Sequence, residues 1–289
     1  MVIYIGVGGG SDLDTSRVLA LWMKVQNPVF ITIFRPLMID SMIDLGNTIL
    51  KYTGLPYMQN GVCQPCRAEY KSNRVVSPRK DVVYFCDDNM SNVFGLLLDG
   101  SGACEDICQF NKAFLAQLCA TDSENKTIAV DTGGDALRGL VPGMGDRDIS
   151  HLYDGVMDNR DRDALLLAAA VVDGPLALYV FGPGSDGETT TAGLKTAHQS
   201  ISTLQKDSTS SCSLKHRGQI SSMSSLFPFI PAWSSPTRGS TLSNILNALD
   251  KPTEAEVPII RRGKDLGSIP AFFLQEYWVF EVQVNGIVN

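Results

Sequence analysis

The sequence has few histidines and no excess of basic residues, and both shortages narrow the possible functions. Three histidines in 289 residues make a Ser-His-Asp triad or a site with several His ligands improbable. Lys and Arg number 24 against 31 Asp and Glu, for a formal net charge of −7. Nucleic-acid binding needs a clustered basic face, so we expect no nucleic-acid partner. We expect any acid–base catalyst to be Asp or Glu.

Long hydrophobic runs are also missing. The longest, "ALLLAAAVV" from Ala164, is interrupted at Asp173, well short of the roughly 20 residues that cross a bilayer. The opening "MVIYIGVGGG" has neither the basic start nor the cleavage pattern of a signal peptide. We therefore expect a cytoplasmic protein without a membrane partner; the sequence leaves self-association into a homo-oligomer open.

The number of cysteines favours reduced thiols over disulfides. Seven cysteines are an odd number in a chain long enough to fold without disulfides. Cys63 and Cys66 have the spacing of a zinc-binding pair, but Cys104 and Cys108 lie in a predicted helix and no cysteine-paired histidine is near. We predict that Cys63 and Cys66 do not form a structural zinc site.

Apolar strands alternate with helices along the first two thirds of the chain. We predict strands at 2–8, 28–34, 81–86, 126–130 and 175–181, and helices at 14–25, 103–120 and 162–172. Strands that are apolar throughout and separated by helices indicate a mainly parallel sheet covered on both faces. The predicted fold is therefore α/β, with an open Rossmann-like sheet and helices on both faces.

The rest of the chain is harder to assign. Long loops are predicted at 133–160 and at the Ser-rich 200–240, and loops of this length are usually functional or mobile. A helix is predicted at 240–250, and strands at 257–263 and 276–284. We expect one α/β domain over 1–289, with a core at 1–200 and an extension at 201–289 that completes or flanks the sheet.

Three predicted strands end in glycine-rich loops that carry paired carboxylates. The loops are "GVGGGSDLD" with Asp12 and Asp14, "VDTGGD" with Asp131 and Asp135, and "GPGSDGE" with Asp186 and Glu188. Ligands of open parallel sheets bind beyond the carboxyl ends of the strands. Glycine also lets a ligand approach backbone N–H groups. We therefore expect six carboxylates and a set of backbone donors on one rim, where they bind a small molecule.

The first loop has the spacing of a phosphate-binding turn. Gly6, Gly8 and Ser11 follow a G-x-G-x-x-G pattern with Ser in the last place, which would seat an anion on a helix N-terminus. The predicted ligand-binding residues of this loop are Gly8, Gly9, Gly10, Ser11 and Asp12. The alternative is a tight turn in which Asp12 or Asp14 caps the helix. The second strand ends at Arg35 rather than at an acid, so we expect no nicotinamide cofactor.

The second loop predicts a cation site. Asp131 directly follows a strand, and Gly133 and Gly134 leave Asp135 free to approach the same point. Neighbouring carboxylates repel each other unless a cation or a shared proton intervenes, and Mg²⁺ or another hard divalent ion is the usual partner. The alternative is that Asp131 caps a helix and Asp135 is solvated.

The third loop offers a candidate acid or base. Asp186 or Glu188 would act with Asp131 in catalysis, while Gly184 and Ser185 would contact the ligand. The alternative is that Asp186 caps the next helix. At the start of the helix near 160, Arg160 could bind an anion, whereas Asp161 is interpreted as a helix-capping acid.

Four segments together resemble a known family. "IGVGGGSD", "VDTGGDAL", "RDALLLAA" and "FGPGSDGE" occur here in the order found in the family catalogued as domain of unknown function 1152, known mostly from archaea and bacteria. The resemblance spans roughly residues 2 to 190; it implies a single-domain α/β fold with these loops on one side of the sheet, and no particular reaction. Ser185 stands where the family leads us to expect Cys or a similar small residue.

Two functional hypotheses follow. The first is a metabolic enzyme that hydrolyses or transfers a group on a phosphorylated or nucleoside-like ligand with a divalent cation at Asp131 and Asp135. The second is a non-catalytic nucleotide-binding or regulatory module, or a dinucleotide-binding Rossmann-like protein, in which carboxylates bind ribose hydroxyls. Metal-dependent turnover would distinguish the two.

Overall fold

A computed structural model describes most of the chain outside residues 35–125. The described residues are 2–8, 10–26, 28–34, 126–152, 160–172, 175–204, 212–236 and 238–283, with six short strands between residues 50 and 97. The predicted helix at 103–120 lies outside them, as do Gly9, Arg35, Cys66, Cys104 and Cys108. Cys63 lies in one of the short strands, and its zinc prediction falls on side chains outside the description.

Fourteen strands occur in the described residues. They are β1 Val2–Gly6, β2 Val29–Phe34, β3 Leu50–Tyr52, β4 Tyr57–Gln59, β5 Val62–Gln64, β6 Ala68–Tyr70, β7 Tyr84–Cys86, β8 Val93–Leu97, β9 Lys126–Thr132, β10 Leu176–Phe181, β11 Cys212–Gln219, β12 Glu256–Arg261, β13 Lys264–Pro270 and β14 Glu276–Val282.

Helices connect or flank these strands. The α-helices are α1 Gly10–Trp22, α2 Arg160–Val171, α3 Thr191–Leu204, α4 Pro231–Ser234, α5 Thr241–Leu249 and α6 Ala271–Gln275. Short 3₁₀ helices span Asp135–Leu137, Ser150–Leu152 and Ile220–Phe229. Within the described ranges, no helix is long and apolar enough to cross a membrane.

Eight strands form one mixed sheet with a parallel centre. The order is β11-β14-β10-β9-β1-β2-β8-β7. The five strands from β10 to β8 pair in parallel, while β14 is antiparallel to β10 and β7 is antiparallel to β8. The predicted α/β class is therefore confirmed. Along the parallel centre the chain order is third, second, first, fourth, fifth, so the connections change direction between β1 and β9.

Helices cover both faces of the sheet, as predicted. Alternate residues of β1 divide between two buried cores: Ile3 and Ile5 pack with α2 and α3, and Tyr4 packs with α1 and α5. Each face therefore buries the apolar side of a helical layer.

The segment after residue 200 is more ordered than predicted. The loop prediction for 200–240 is wrong, because this range contains β11, the 3₁₀ helix Ile220–Phe229 and α4. β11 lies at the edge of the sheet and is buried only at Cys212 and Leu214, so its polar, more exposed second half resembled a loop. The loop predicted at 133–160 likewise contains two 3₁₀ turns. β12 and β13 form a separate hairpin outside the main sheet.

Candidate functional site

The carboxyl ends of β1, β9 and β10 lie side by side. Parallel register places Gly6 beside Val130, and Asp131 beside Val180. Asp12 in the first turn of α1 accepts a hydrogen bond from the Thr132 N–H at 2.7 Å, which ties the first loop to the second.

The second and third loops are joined as well. Gly184 N–H donates to the Gly133 carbonyl at 2.6 Å, and Gly133 N–H donates to Phe181 O at 2.9 Å. The prediction that Asp12, Asp131 and Asp186 share one edge of the sheet is therefore confirmed.

Six buried carboxylates gather at this edge and form what we call the acidic cluster. Each is at most 7% exposed. The members are Asp12, Asp131, Asp135, Asp161, Asp186 and Glu188. Five of them were among the six rim carboxylates expected from the sequence. Asp14 is the exception, since it forms an ion pair with Arg17 of its own helix at 3.2 Å. Asp161 also belongs to the cluster; it lies in the first turn of α2, where its interpretation as a helix-capping acid stays a prediction.

Burial and mutual repulsion shift the protonation of the cluster. Burial raises the pKa of Asp131 well above its ordinary value, and the charges of Asp12, Asp161 and Asp186 raise it further. Asp135 shows the same pattern, with burial as the largest cause of its raised pKa and Asp161 next. At neutral pH the cluster therefore favours binding of protons or of a cation.

Opposing influences act on the pKa of Asp186. Burial raises its pKa, while a hydrogen bond from the Glu188 N–H and the positive charges of Arg261 and Arg138 oppose the rise. Asp186 is only 4% exposed, although it lies in a loop. The loop folds back under the β12–β13 hairpin, where a side chain on Gly187 would collide with Leu266.

Two carboxylate oxygens of the cluster are buried without a hydrogen-bond donor in the described part of the chain. Asp131 accepts the Ala136 N–H through Oδ2 at 3.1 Å, but its Oδ1 has no donor. Asp186 accepts the Glu188 N–H through Oδ1 at 2.8 Å, and its Oδ2 has none. Buried polar atoms are nearly always paired, so each of these two oxygens offers an acceptor to a proton, a water molecule or a cation.

The capping alternatives have different outcomes. The Ala136 bond shows that Asp131 does cap the 3₁₀ helix Asp135–Leu137, but with one oxygen. Asp186 bonds within its own loop, and α3 is capped by Thr190, whose hydroxyl accepts the Gly193 N–H at 2.9 Å. The proposal that Asp186 caps this helix is therefore wrong.

The glycines make room for carboxylates of the protein itself. A Cβ on Gly8 would collide with Asp12 Oδ2 and would lie 2.7 Å from Asp161 Oδ2. Because these acids surround Gly8, an anion placed on its backbone would need a cation beside it. Helix α1 begins at Gly10, so Gly10 and Ser11 belong to its first turn rather than to a preceding loop.

Gly134, Gly184, Ser185 and Arg160 were also predicted to contact the ligand. Gly134 and Gly184 have φ of +103° and +87°, which glycine adopts without strain. Ser185 is fully buried; its Oγ has no partner within the described residues, and its carbonyl accepts from Asn244 Nδ2 at 2.8 Å. Arg160 begins α2, and its side chain lies outside the description.

Two residues that contact the third loop, Arg138 and Asn244, were not identified from the sequence. Arg138 forms a buried ion pair with Glu188, with 2.8 Å between Nη2 and Oε2. Asn244 links the Ser185 loop to Ile260 of the hairpin. Both pairs are far apart in sequence, so no local motif indicates them.

Among the residues that the structure describes, no group of three or more His, Cys, Asp or Glu side chains is arranged so that it could hold a metal ion. Comparison with protein-family models, curated proteins and solved structures found no match.

Proposed function

We propose that the acidic cluster binds a divalent cation and uses it for hydrolysis or group transfer on a phosphorylated or nucleoside-like small molecule. The observation that carries the proposal is the pair of unpaired buried oxygens, Asp131 Oδ1 and Asp186 Oδ2, on adjacent strand-end loops. Mg²⁺ fits a site of this kind, because hard cations bind carboxylate oxygens.

Electrostatics favours a cation in the acidic cluster. Two unit charges 4 Å apart repel by about 4 kcal/mol at an effective dielectric of 20. Arg138 neutralises Glu188, but the raised pKa values of Asp131 and Asp135 show that neighbouring acids still repel each other. A divalent ion would relieve this repulsion.

The small number of protein ligands is compatible with Mg²⁺. Mg²⁺ usually keeps several waters and is held by one or two carboxylates together with substrate phosphates. Asp131, with Asp186 or Asp135, would supply the protein ligands. Two protein carboxylates are compatible with a cation that arrives with its substrate.

The cation and the residues around it would have different roles in the reaction. A bound cation lowers the pKa of water and polarises phosphoryl oxygens. Where Asp135 is the second cation ligand, Asp186 is a better candidate than Glu188 for moving a proton, since Glu188 is held by Arg138. The Gly8–Ser11 backbone would contact an anion only beside the cation.

The strand order supports a Rossmann-like identity for the sheet. Chain order third, second, first, fourth, fifth is that of dinucleotide-binding folds, which place their ligand where the connections reverse. Asp12 follows β1, and Asp131 lies at the carboxyl end of β9, at this point. Membership in the family of domain of unknown function 1152 and a cytoplasmic location remain part of the proposal.

Metal binding can be tested directly. Mn²⁺ titration followed by electron paramagnetic resonance should show one site, and Asp131→Asn and Asp186→Asn should each weaken it at least tenfold. Asp250→Asn is the matched control, because Asp250 is an exposed acid outside the cluster. Mn²⁺ affinities of the two cluster variants equal to that of wild type would reject the site.

Turnover separates the enzyme from the rival binding module. Phosphorylated metabolites and nucleotides should be screened by thermal shift, and the best ligands assayed for hydrolysis or transfer with Mg²⁺ or with EDTA. An enzyme should give product only with Mg²⁺. A nucleotide that stabilises the protein equally in EDTA and is never converted would favour the non-catalytic module.

A further inference from the structure

We propose that the guanidinium of Arg138 binds an anionic oxygen group of the substrate, a phosphate or a carboxylate, at the Glu188 side of the acidic cluster. This inference rests on the proposed function and specifies its substrate class. The substrate would carry at least two anionic oxygens, one beside the cation and one on Arg138.

Arg138 is buried with most of its hydrogen-bonding capacity unused. Its side chain donates through Nη2 to Glu188 Oε2 at 2.8 Å, and the residue is 8% exposed. Within the described residues, Nε and Nη1 have no acceptor. A guanidinium has five N–H donors, and a buried charged group without partners is costly. An incoming anion would supply the missing acceptors.

The guanidinium is also held in place before any ligand arrives. Gly145 packs directly on the Arg138 side chain, since a Cβ there would lie 2.5 Å from Nε and 3.0 Å from the Arg138 Cβ. The Gly145 N–H donates to Thr189 Oγ1 at 3.0 Å, which fixes this backbone against the third loop. A pre-positioned arginine loses little freedom on binding an anion.

The position of Arg138 explains how an anion could enter an acidic site. The arginine lies beside Glu188 and its charge acts on Asp186. An anion elsewhere in the cluster would be repelled by the carboxylates. Between a cation on Asp131 and the free donors of Arg138, the same anion would meet positive charge on two sides.

Inorganic phosphate and acetate are the probes for this site. Their affinities should be measured by calorimetry in saturating Mg²⁺ for wild type and for the double variant Arg138→Met/Glu188→Gln, which removes both members of the ion pair together. Arg238→Met, an exposed arginine elsewhere, is the control. Mn²⁺ binding should be measured on every variant.

We expect phosphate to bind wild type and the control equally, and the double variant at least tenfold more weakly with Mn²⁺ binding retained. The same loss with acetate in place of phosphate would identify a carboxylate substrate. Unchanged phosphate affinity in the double variant, or no affinity for either probe in wild type that binds Mn²⁺, would overturn the inference.

Two further results keep the anion site and the cation site distinguishable. Arg138-dependent phosphate binding without Mn²⁺ binding would reject the cation and retain the anion site.

If the double variant does not fold, the single variant Glu188→Gln provides the test, since it releases an Arg138 donor and removes a negative charge. We expect it to bind phosphate several-fold more tightly than wild type does, and unchanged or weaker binding would contradict the inference.

Discussion

Gly133 allows an acidic side chain to lie directly against the backbone of the neighbouring loop. Its φ is +124°, and an added Cβ would lie 2.5 Å from Asp186 Cγ and 2.6 Å from Asp186 Cβ. Its carbonyl also accepts the Gly184 N–H. The glycine therefore sets the separation between the Asp131 and Asp186 loops.

Gly133→Ala should both destabilise the protein and disrupt the site. The left-handed backbone alone costs roughly 1–2 kcal/mol with a side chain, and the collision with Asp186 adds to this. Urea unfolding should show a loss in unfolding free energy larger than that of Gly263→Ala, and Mn²⁺ affinity should fall with it.

Gly263 is the matched control because its φ is +77° and a Cβ there meets nothing within 4 Å. Gly263→Ala should show backbone strain alone and should bind Mn²⁺ as wild type does. Equal losses of stability in the two variants, with Mn²⁺ binding intact in both, would contradict the close approach of Asp186 to Gly133.

Residue types and spacing predicted most of the acidic cluster. Glycine next to Asp at the end of an apolar strand is a local pattern, and it identified Asp12, Asp131, Asp135, Asp186 and Glu188. Asp161 was not predicted to join the cluster, because an acid in the first turn of a helix is explained by an ordinary role as a cap. Arg138 was missed because its partner Glu188 is 50 residues away.

At the level of elements, Asn244 joins three parts of the fold. From the buried face of α5 it donates to Ser185 O at 2.8 Å and to Ile260 O at 3.0 Å, and it accepts the Ile260 N–H at 3.2 Å. The third loop is therefore positioned by α5 and the β12–β13 hairpin. Both elements lie in the extension predicted at 201–289.

Asn244→Ala should lower the unfolding free energy by about 2–4 kcal/mol, because it leaves buried backbone groups of two elements unpaired. Loss of the Ser185 contact should also weaken Mn²⁺ binding. Urea unfolding and Mn²⁺ titration measure the two effects.

Asn247→Ala is the control, since Asn247 is exposed on the same helix. Its unfolding free energy should stay within about 0.5 kcal/mol of that of wild type. An Asn244→Ala protein that is destabilised but binds Mn²⁺ as tightly as wild type would restrict Asn244 to a structural role.

Strand and helix positions were predicted well where apolar runs were continuous, as in β1, β9 and β10. They were predicted poorly where an element is polar on one side or is stabilised by contacts with residues that are distant in sequence. β11 is an example, because it pairs with β14, more than fifty residues later. The pairing of distant edge strands has no local signal in the sequence.

For the whole molecule, the acidic cluster couples stability to pH. Asp131, Asp135 and Asp186 all have a raised pKa, with burial as the largest cause in each case. The folded state therefore holds protons that the unfolded state has released above its ordinary carboxyl pKa of about 4. Stability from these groups is fully present below that pH and is lost as pH rises through the raised values.

We therefore expect the metal-free protein to lose stability relative to Asp131→Asn/Asp186→Asn as pH rises from about 5 to about 8. The amides carry no charge, so the variant lacks the contribution of these two carboxyls and keeps that of Asp135. The difference between the two proteins therefore isolates Asp131 and Asp186 from the other titrating groups. Urea unfolding in EDTA measures that difference. Mg²⁺ should restore stability to wild type at the upper end of the range by binding the ionised carboxylates, and it should leave the variant unchanged. A difference that is constant with pH, together with equal Mg²⁺ responses, would show that these acids neither retain protons nor bind the cation.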